Sequence, residues 1–254
     1  MVRAVALLGA VLTAGSLGVL PAGAVANGTV ARTGQFPYAV QLRMHDIPRP
    51  DGTVYDSACS AVLISRTWIM TAGHCFHDVN RVRVSGTPLY ATTARLGTVN
   101  TTNPAAGVTR TVNWVQQAGV NDIALARLNA PVDGITPPTL TTGPPGVGRL
   151  LTLAGWGATT GAGSPSSQLY LGQVKVTAVG TSTVLVTGYR PVGNTSACAY
   201  DSGAPYVATM PSGLVTLVSI ESNGPTCPHF SAETTSRVDV VGPWVRGIVT
   251  DLPR

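Results

Sequence analysis

The sequence predicts an all-β fold of two β-rich units closed by a short C-terminal helix, on three observations. Its 254 residues include 29 glycines and 19 prolines and only 11% are charged, a composition of turns and short strands rather than long charged helices. Its apolar segments are short, rich in Val and Thr, and bounded by turn signals, as in a sandwich or barrel. A proline- and glycine-rich stretch at residues 131–148 reads as the connection between two packed units, for which the length is sufficient.

The elements follow in order. Residues 35–42 form the first strand, with Tyr38, Val40 and Leu42 on one face. Residues 45–57, rich in Pro, Asp and Gly, form a loop. Residues 61–64 and 68–71 are apolar runs that lead to His74. Residues 81–84 (Arg81-Val82-Arg83-Val84) alternate as an edge strand would, and residues 98–107 are a small, polar surface loop. Residues 120–128 are apolar apart from Asn121, Asp122 and Arg127, and an ionised acid in such a run is costly unless hydrogen-bonded. Residues 151–157 open the second unit, and residues 174–179, 184–187 and 214–220 supply further strands. Residues 243–249 close the chain as a helix with Pro243 in its first turn. No internal repeat stands out beyond two β-rich halves.

Arg3 and the apolar residues 4–20 resemble a secretory signal, and Pro21-Ala22-Gly23-Ala24 supplies an A-x-A cleavage pattern. The stretch is short for a membrane anchor. Cleavage after Ala24 leaves Val25-Ala26-Asn27-Gly28-Thr29 as the mature start, and cleavage after Ala26 fits the pattern equally. The expected product is an exported protein with no membrane attachment once the signal is removed. The net charge of +5 is scattered and carried almost wholly by Arg, with Lys175 the sole lysine. No basic face is present for a nucleic acid. Export permits disulfides, and four cysteines allow three pairings that spacing does not decide. A zinc site is disfavoured by the lack of CxxC or HxxxH spacing, and no acidic cluster follows His74 for calcium. Asn27, Asn100 and Asn194 begin N-x-[ST] triplets, which matter only in a glycosylating host.

Three stretches hold candidate chemistry. Ser202 lies in Cys198-Ala199-Tyr200-Asp201-Ser202-Gly203-Ala204-Pro205, His74 in Thr71-Ala72-Gly73-His74-Cys75, and Asp122 in Asn121-Asp122-Ile123-Ala124-Leu125. A serine hydroxyl is a weak nucleophile that needs a base to take its proton. Each motif alone is weak, and a loop serine, a core histidine and a capping acid are the bland readings. Their order, His then Asp then Ser, is one of the orders in which the catalytic triad is built. His45, His77 and His229 lack such a context and read as surface residues.

With these motifs the chain resembles the chymotrypsin-like serine endopeptidases, and we take it for a secreted, bacterial-type member. The resemblance covers about residues 25–249. It implies two six-stranded antiparallel β-barrels, the first at about 25–130 and the second at about 149–242, with a closing helix at about 243–250. It implies Ser202 as nucleophile, His74 as general base and Asp122 as the residue that orients it. The backbone N–H groups of Tyr200 and Ser202 would form the oxyanion hole. It pairs Cys59 with Cys75 and Cys198 with Cys227. It places Ser196 at the base of the substrate pocket and Ser219 beside the triad acid, lining the cleft. Ser196 lacks the charge by which the family selects Arg and Lys, and a preference for aromatic or large apolar side chains stays open. Glu221 and Glu233, the only glutamates in the chain, would lie in the pocket wall, where an inward Glu233 could pair with a substrate cation, or be solvated loop residues. The ammonium of Val25 would pair with Asp201, so that secretion itself yields active enzyme. Activity should then rise as His74 deprotonates and fall in strong alkali as an α-amino group, ordinarily of pKa about 7.7–8.0, loses its proton.

The resemblance also implies polypeptide substrates, protein protease inhibitors as further partners, a monomer, and no cofactor. Two departures stand out. Tyr200 and Ala204 replace family glycines, and Tyr200 occupies a position where glycine permits a conformation a bulky residue resists. Loss of one oxyanion donor typically costs about 10²–10³ in rate. A secreted binding protein on the same fold, its chemistry disabled at this loop, is therefore the alternative. An esterase of the α/β-hydrolase type fails, because Gly-x-Ser-x-Gly is missing and the triad order differs.

Overall fold

The structure, a computed structural model, describes residues 24–253. The expected signal segment lies outside them except for Ala24. A two-residue strand β1 (Thr29–Val30) precedes the first barrel. That barrel is built from β2 (Ala39–Pro48), β3 (Val54–Leu63), β4 (Trp68–Thr71), β5 (Thr92–Leu96), β6 (Val108–Gln117) and β7 (Ala124–Leu128). The strands close in the order β2-β3-β4-β7-β6-β5, every pairing antiparallel. Closure removes the exposed sheet edges that invite aggregation.

The second half begins with the short β8 (Thr139–Leu140) and continues with β9 (Leu150–Gly155), β10 (Tyr170–Val179), β11 (Thr183–Arg190), β12 (Pro205–Thr209), β13 (Val215–Asn223) and β14 (Glu233–Arg237). Six of these, β9 to β14, close a second antiparallel barrel in the order β9-β10-β11-β14-β13-β12. β1 lies along β10, and β8 runs parallel to β13. Helix α1 (Gly242–Ile248) has proline in its first turn and ends the described fold. The all-β expectation of two six-stranded barrels and a closing helix is met.

Two local expectations are corrected. Residues 45–57 are no mere loop, because β2 and β3 continue as a paired hairpin through Pro48 and Val54. Half of this extension is solvent-facing, so it lacks the apolar face by which strands are read from sequence. Residues 81–84 form no strand. A single bridge joins His77 to Arg83, and Arg81 at φ 64° turns the backbone out of the extended region.

The barrel interiors are filled by alternate residues of each strand. Leu42, Leu63, Ile69, Leu96 and Leu125 are completely buried in the first, as are Leu153, Val174, Val184 and Val186 in the second. Each such side chain contributes about 1.5–3 kcal/mol on removal from water. The first core does not stop at its own barrel. Val207, Leu217 and Ile220 of the second barrel join it, together with Val241, Val245 and Val249 around α1. Asn121 adds a polar tie, donating from Nδ2 to the Arg237 carbonyl at 2.9 Å. The junction between the barrels is therefore packed, and side chains placed there are held in fixed relation.

Candidate active site

His74 sits in a single 3₁₀ turn, Gly73–Cys75, just after β4. The turn is fixed from two sides. The Cys59–Cys75 disulfide, with Cα atoms 6.4 Å apart, ties it to β3. Gln117 at the end of β6 donates from Nε2 to the carbonyls of Gly73 and Phe76 at 2.9 and 3.2 Å. Asp122 lies in the bend before β7 and faces this turn. Its Oδ1 accepts the His74 backbone N–H at 2.8 Å, and its Oδ2 lies 2.7 Å from His74 Nδ1. An ionised carboxylate only accepts hydrogen bonds, so the hydrogen is on Nδ1 and Nε2 keeps a lone pair.

Ser222 donates from Oγ to the same Oδ2 at 2.8 Å, and Arg83 brings a guanidinium nitrogen to 3.6 Å from Oδ1. Burial pushes the Asp122 carboxyl up, but the hydrogen bonds from His74 and Ser222 outweigh it and the net shift is downward. The acid thus stays ionised under the imidazole.

Ser202 lies in the loop before β12, and this loop is stitched to the first barrel. Its carbonyl accepts the N–H of Ser60 at 2.8 Å and lies 3.8 Å from Sγ of Cys75, the residue after His74. Ser60 Oγ donates to the Tyr200 carbonyl at 3.3 Å and accepts the N–H of Trp156 at 3.1 Å. Gly203, at φ 86°, lies so close to β3 and β4 that a Cβ would strike the Ser60 carbonyl and the Thr71 hydroxyl. Only glycine combines that backbone with that approach. The Cys198–Cys227 disulfide, Cα atoms 5.3 Å apart, clamps the other end of the loop.

The loop amides divide into two sets. Those of Asp201, Gly203 and Ala204 donate to the carbonyls of Cys198, Glu221 and Asp201 at 3.0, 2.8 and 2.7 Å. Among the described residues, no acceptor is paired with the N–H of Ala199, Tyr200 or Ser202. Tyr200 adopts φ 72°, the left-handed conformation expected to need glycine. A bulky residue there stores strain, on the order of 1–3 kcal/mol.

Asp201 is fully buried. It accepts the N–H groups of Gly157 and Cys198 at 2.7 and 2.9 Å. Burial pushes its carboxyl up to about 7, against the pull of these amides and of the Val25 amide, which also lies at the carboxyl. Val25 itself is buried completely, at φ 56°. A Cβ on Gly157 would run into the Asp201 carboxyl, which accounts for the glycine at the end of Gly155-Trp156-Gly157.

The family model described as "Trypsin" matches residues 25–244. The chain belongs to the trypsin family. That family comprises serine-type endopeptidases, hydrolases of polypeptides. Relatives include "Trypsin zeta" of Drosophila erecta, 29% identical over 74% of this chain and 73% of that protein. "Serine protease SP24D" of Anopheles gambiae is 29% identical over 87% of this chain and 80% of that protein. "Transmembrane protease serine 9" of Rattus norvegicus is 28% identical over 90% of this chain, which spans only 22% of that longer protein. These relatives are animal proteins, so the bacterial-type expectation has no support. Among the described residues, no helix is long and apolar enough to cross a membrane.

A cleft of about 180 Å³ opens beside Ser202, lined also by Ala197, Glu221, Ser222, Asn223 and Gly224. Ser196 lies behind this lining, 1% exposed, with no partner for its Oγ. Glu233 is also behind it, accepting the Ala197 N–H.

Ser219, expected to support Asp122, makes no hydrogen bond to it. Its Oγ is buried without a partner, while Ser222, three residues on, makes that bond. β13 is irregular against β14 between Glu221 and Asn223, so simple alternation does not give which residue points at Asp122. Sequence reasoning also missed Ser60 and Arg83.

Proposed function

We propose that the protein is a secreted serine endopeptidase acting through His74, Asp122 and Ser202. Ser202 Oγ adds to the carbonyl carbon of a polypeptide bond while His74 Nε2 takes its proton. His74 then returns the proton to the departing amine as the C–N bond breaks, and water hydrolyses the acyl-enzyme by the same route. Asp122 holds the imidazole in the needed tautomer and stabilises the imidazolium.

The observation that supports this reading most is the double grip of Asp122 on His74, ring and backbone together. It leaves Nε2 as the one basic position of the ring. The amides of Tyr200 and Ser202, which have no internal acceptor while those of Asp201, Gly203 and Ala204 do, supply the oxyanion donors. Among the described residues, Ser202 Oγ makes no hydrogen bond; contacts of this kind tighten when substrate binds. Signal cleavage after Ala24 would put the Val25 ammonium where its amide now meets Asp201, giving that buried acid a charged partner.

Stopped-flow hydrolysis of an activated ester tests the reading. The expected result is a burst of one product per enzyme, abolished in Ser202→Ala and in His74→Ala. Correctly processed wild-type protein that shows neither burst nor turnover would support the alternative, a binding protein with a disabled oxyanion loop.

A further inference from the structure

Behind the cleft, side chains from three neighbouring strands meet at one atom. The Tyr206 hydroxyl on β12 lies 2.7 Å from Oε2 of Glu221 on β13 and 2.7 Å from Oε2 of Glu233 on β14. Tyr206 is wholly buried, and the two glutamates are 4% and 2% exposed. A phenol hydroxyl has one hydrogen and can satisfy one of the two contacts. The other contact must be donated by a carboxyl group, since two ionised carboxylates and one hydroxyl oxygen would leave lone pairs facing each other. The cluster therefore holds one proton more than the tyrosine supplies.

Among the described residues, no cation lies against the pair to replace that proton, and the ammonium that processing would free at Val25 faces Asp201 instead. Glu221 feels Asp201 and Asp122, both acids, besides Glu233. Glu233 accepts the Ala197 amide through Oε1 and faces His229 Nε2 at 3.5 Å. His229 is directed at the Ser231 carbonyl through Nδ1 at 3.0 Å, and burial holds its pKa below the usual histidine value. Burial first, and the neighbouring carboxylate second, raise the Glu221 carboxyl far above the usual range, and burial raises that of Glu233. Glu221 lines the same cleft as Ser202, and Gly224 in its wall packs against Glu233. A group entering the cleft thus reaches the proton-bearing cluster.

We propose that the Glu221–Tyr206–Glu233 cluster stores one exchangeable proton, which a cationic substrate side chain (alkylammonium or guanidinium) displaces on entering the cleft. The O–H bond of the carboxyl group breaks, its electron pair stays on the carboxylate, and the proton leaves to solvent. The doubly ionised pair then faces the cation. The inference rests on the reading of this cleft as the pocket that receives a substrate side chain. It makes cleavage beside Lys or Arg favourable at neutral to alkaline pH and weak at acid pH, with no matching change for neutral side chains.

Benzamidine, a small amidinium, is a direct probe. Titration calorimetry of the processed protein at pH 6, in two buffers of different ionisation enthalpy, should show about one proton released per amidinium bound. Its affinity should rise up to about tenfold per pH unit across the window of release. In Glu221→Gln the release should vanish and the pH dependence flatten. If that variant does not fold, the two-buffer comparison on the wild type decides alone. Binding without proton exchange, or no binding by protein whose Ser202 still takes a serine-reactive phosphonate, overturns the proposal. Failure of the endopeptidase reading shows separately, as protein that releases a proton to benzamidine but never acylates at Ser202.

Discussion

Tyr200 shows how much depends on a single backbone angle. At φ 72° a side chain with a Cβ pays about 1–2 kcal/mol relative to glycine, and the amide so placed has no internal acceptor among the described residues. Tyr200→Gly should therefore stabilise the protein by about 1 kcal/mol in denaturant unfolding, with the acylation rate retained. Tyr200→Val, β-branched, should destabilise it and slow acylation. The two serines of β13 separate by function in the same way. Ser222→Ala removes a bond to a charged acceptor worth about 1.5–3 kcal/mol, so kcat should fall about tenfold or more with KM little changed. Ser219→Ala should leave kcat near wild type, because its hydroxyl makes no hydrogen bond among the described residues.

At the scale of elements, the Ser202 loop is held by a strand of the opposite barrel. Ser60 on β3 meets Ser202, Tyr200 and Trp156 through its N–H and Oγ. Ser60→Ala removes the two Oγ bonds and leaves the buried Trp156 N–H unpaired, a loss of about 1–3 kcal/mol. Its unfolding midpoint should drop, and acylation should slow more than the stability loss alone requires.

This tie also marks what could be read from the chain. Strands with a continuous apolar face, such as β10 and β11, and the proline-led helix α1 were legible. So were the three motif segments, because weak matches fall together in the order His, Asp, Ser. The β2–β3 hairpin was not, since its solvent-facing half has no apolar stripe to reveal the pairing. Ser60, Arg83 and Ser222 were hidden for another reason. Their partners are 96 residues away for Ser60 and Trp156 and 100 for Ser222 and Asp122, and left-handed Arg81 and the register shift after Glu221 reset the faces on which Arg83 and Ser222 lie. The Glu221–Tyr206–Glu233 cluster needs three strands in register before its shared hydroxyl exists.

At the scale of the whole molecule, the two ends of the second barrel's chemistry meet at Asp201. In the uncut chain its carboxyl is raised from 3.8 to about 7, so the folded state favours the protonated acid. The stability this contributes is complete below 3.8 and is lost as pH rises through about 7. Val25 adds strain, a β-branched residue at φ 56°. Cleavage before Val25 frees that angle and replaces an amide with an ammonium beside the carboxyl. The uncut chain should therefore lose thermal stability between pH 4 and about 7, while the cut chain holds it. The cut chain's own loss should come at the alkaline end, as pH rises through the raised pKa of the paired ammonium. Melting curves of both forms across this range check the claim.

The central claim is that a hydroxyl, an imidazole and two free amides, drawn from both barrels, converge into one acylating centre. Intact-mass measurement after treatment with a fluorophosphonate tests it most directly, with peptide mapping of the adduct. The account predicts one label per molecule of processed protein, on Ser202, with labelling slowed at least a hundredfold in His74→Ala. Processed, folded protein that takes no label, or a label that maps to another serine, would contradict it.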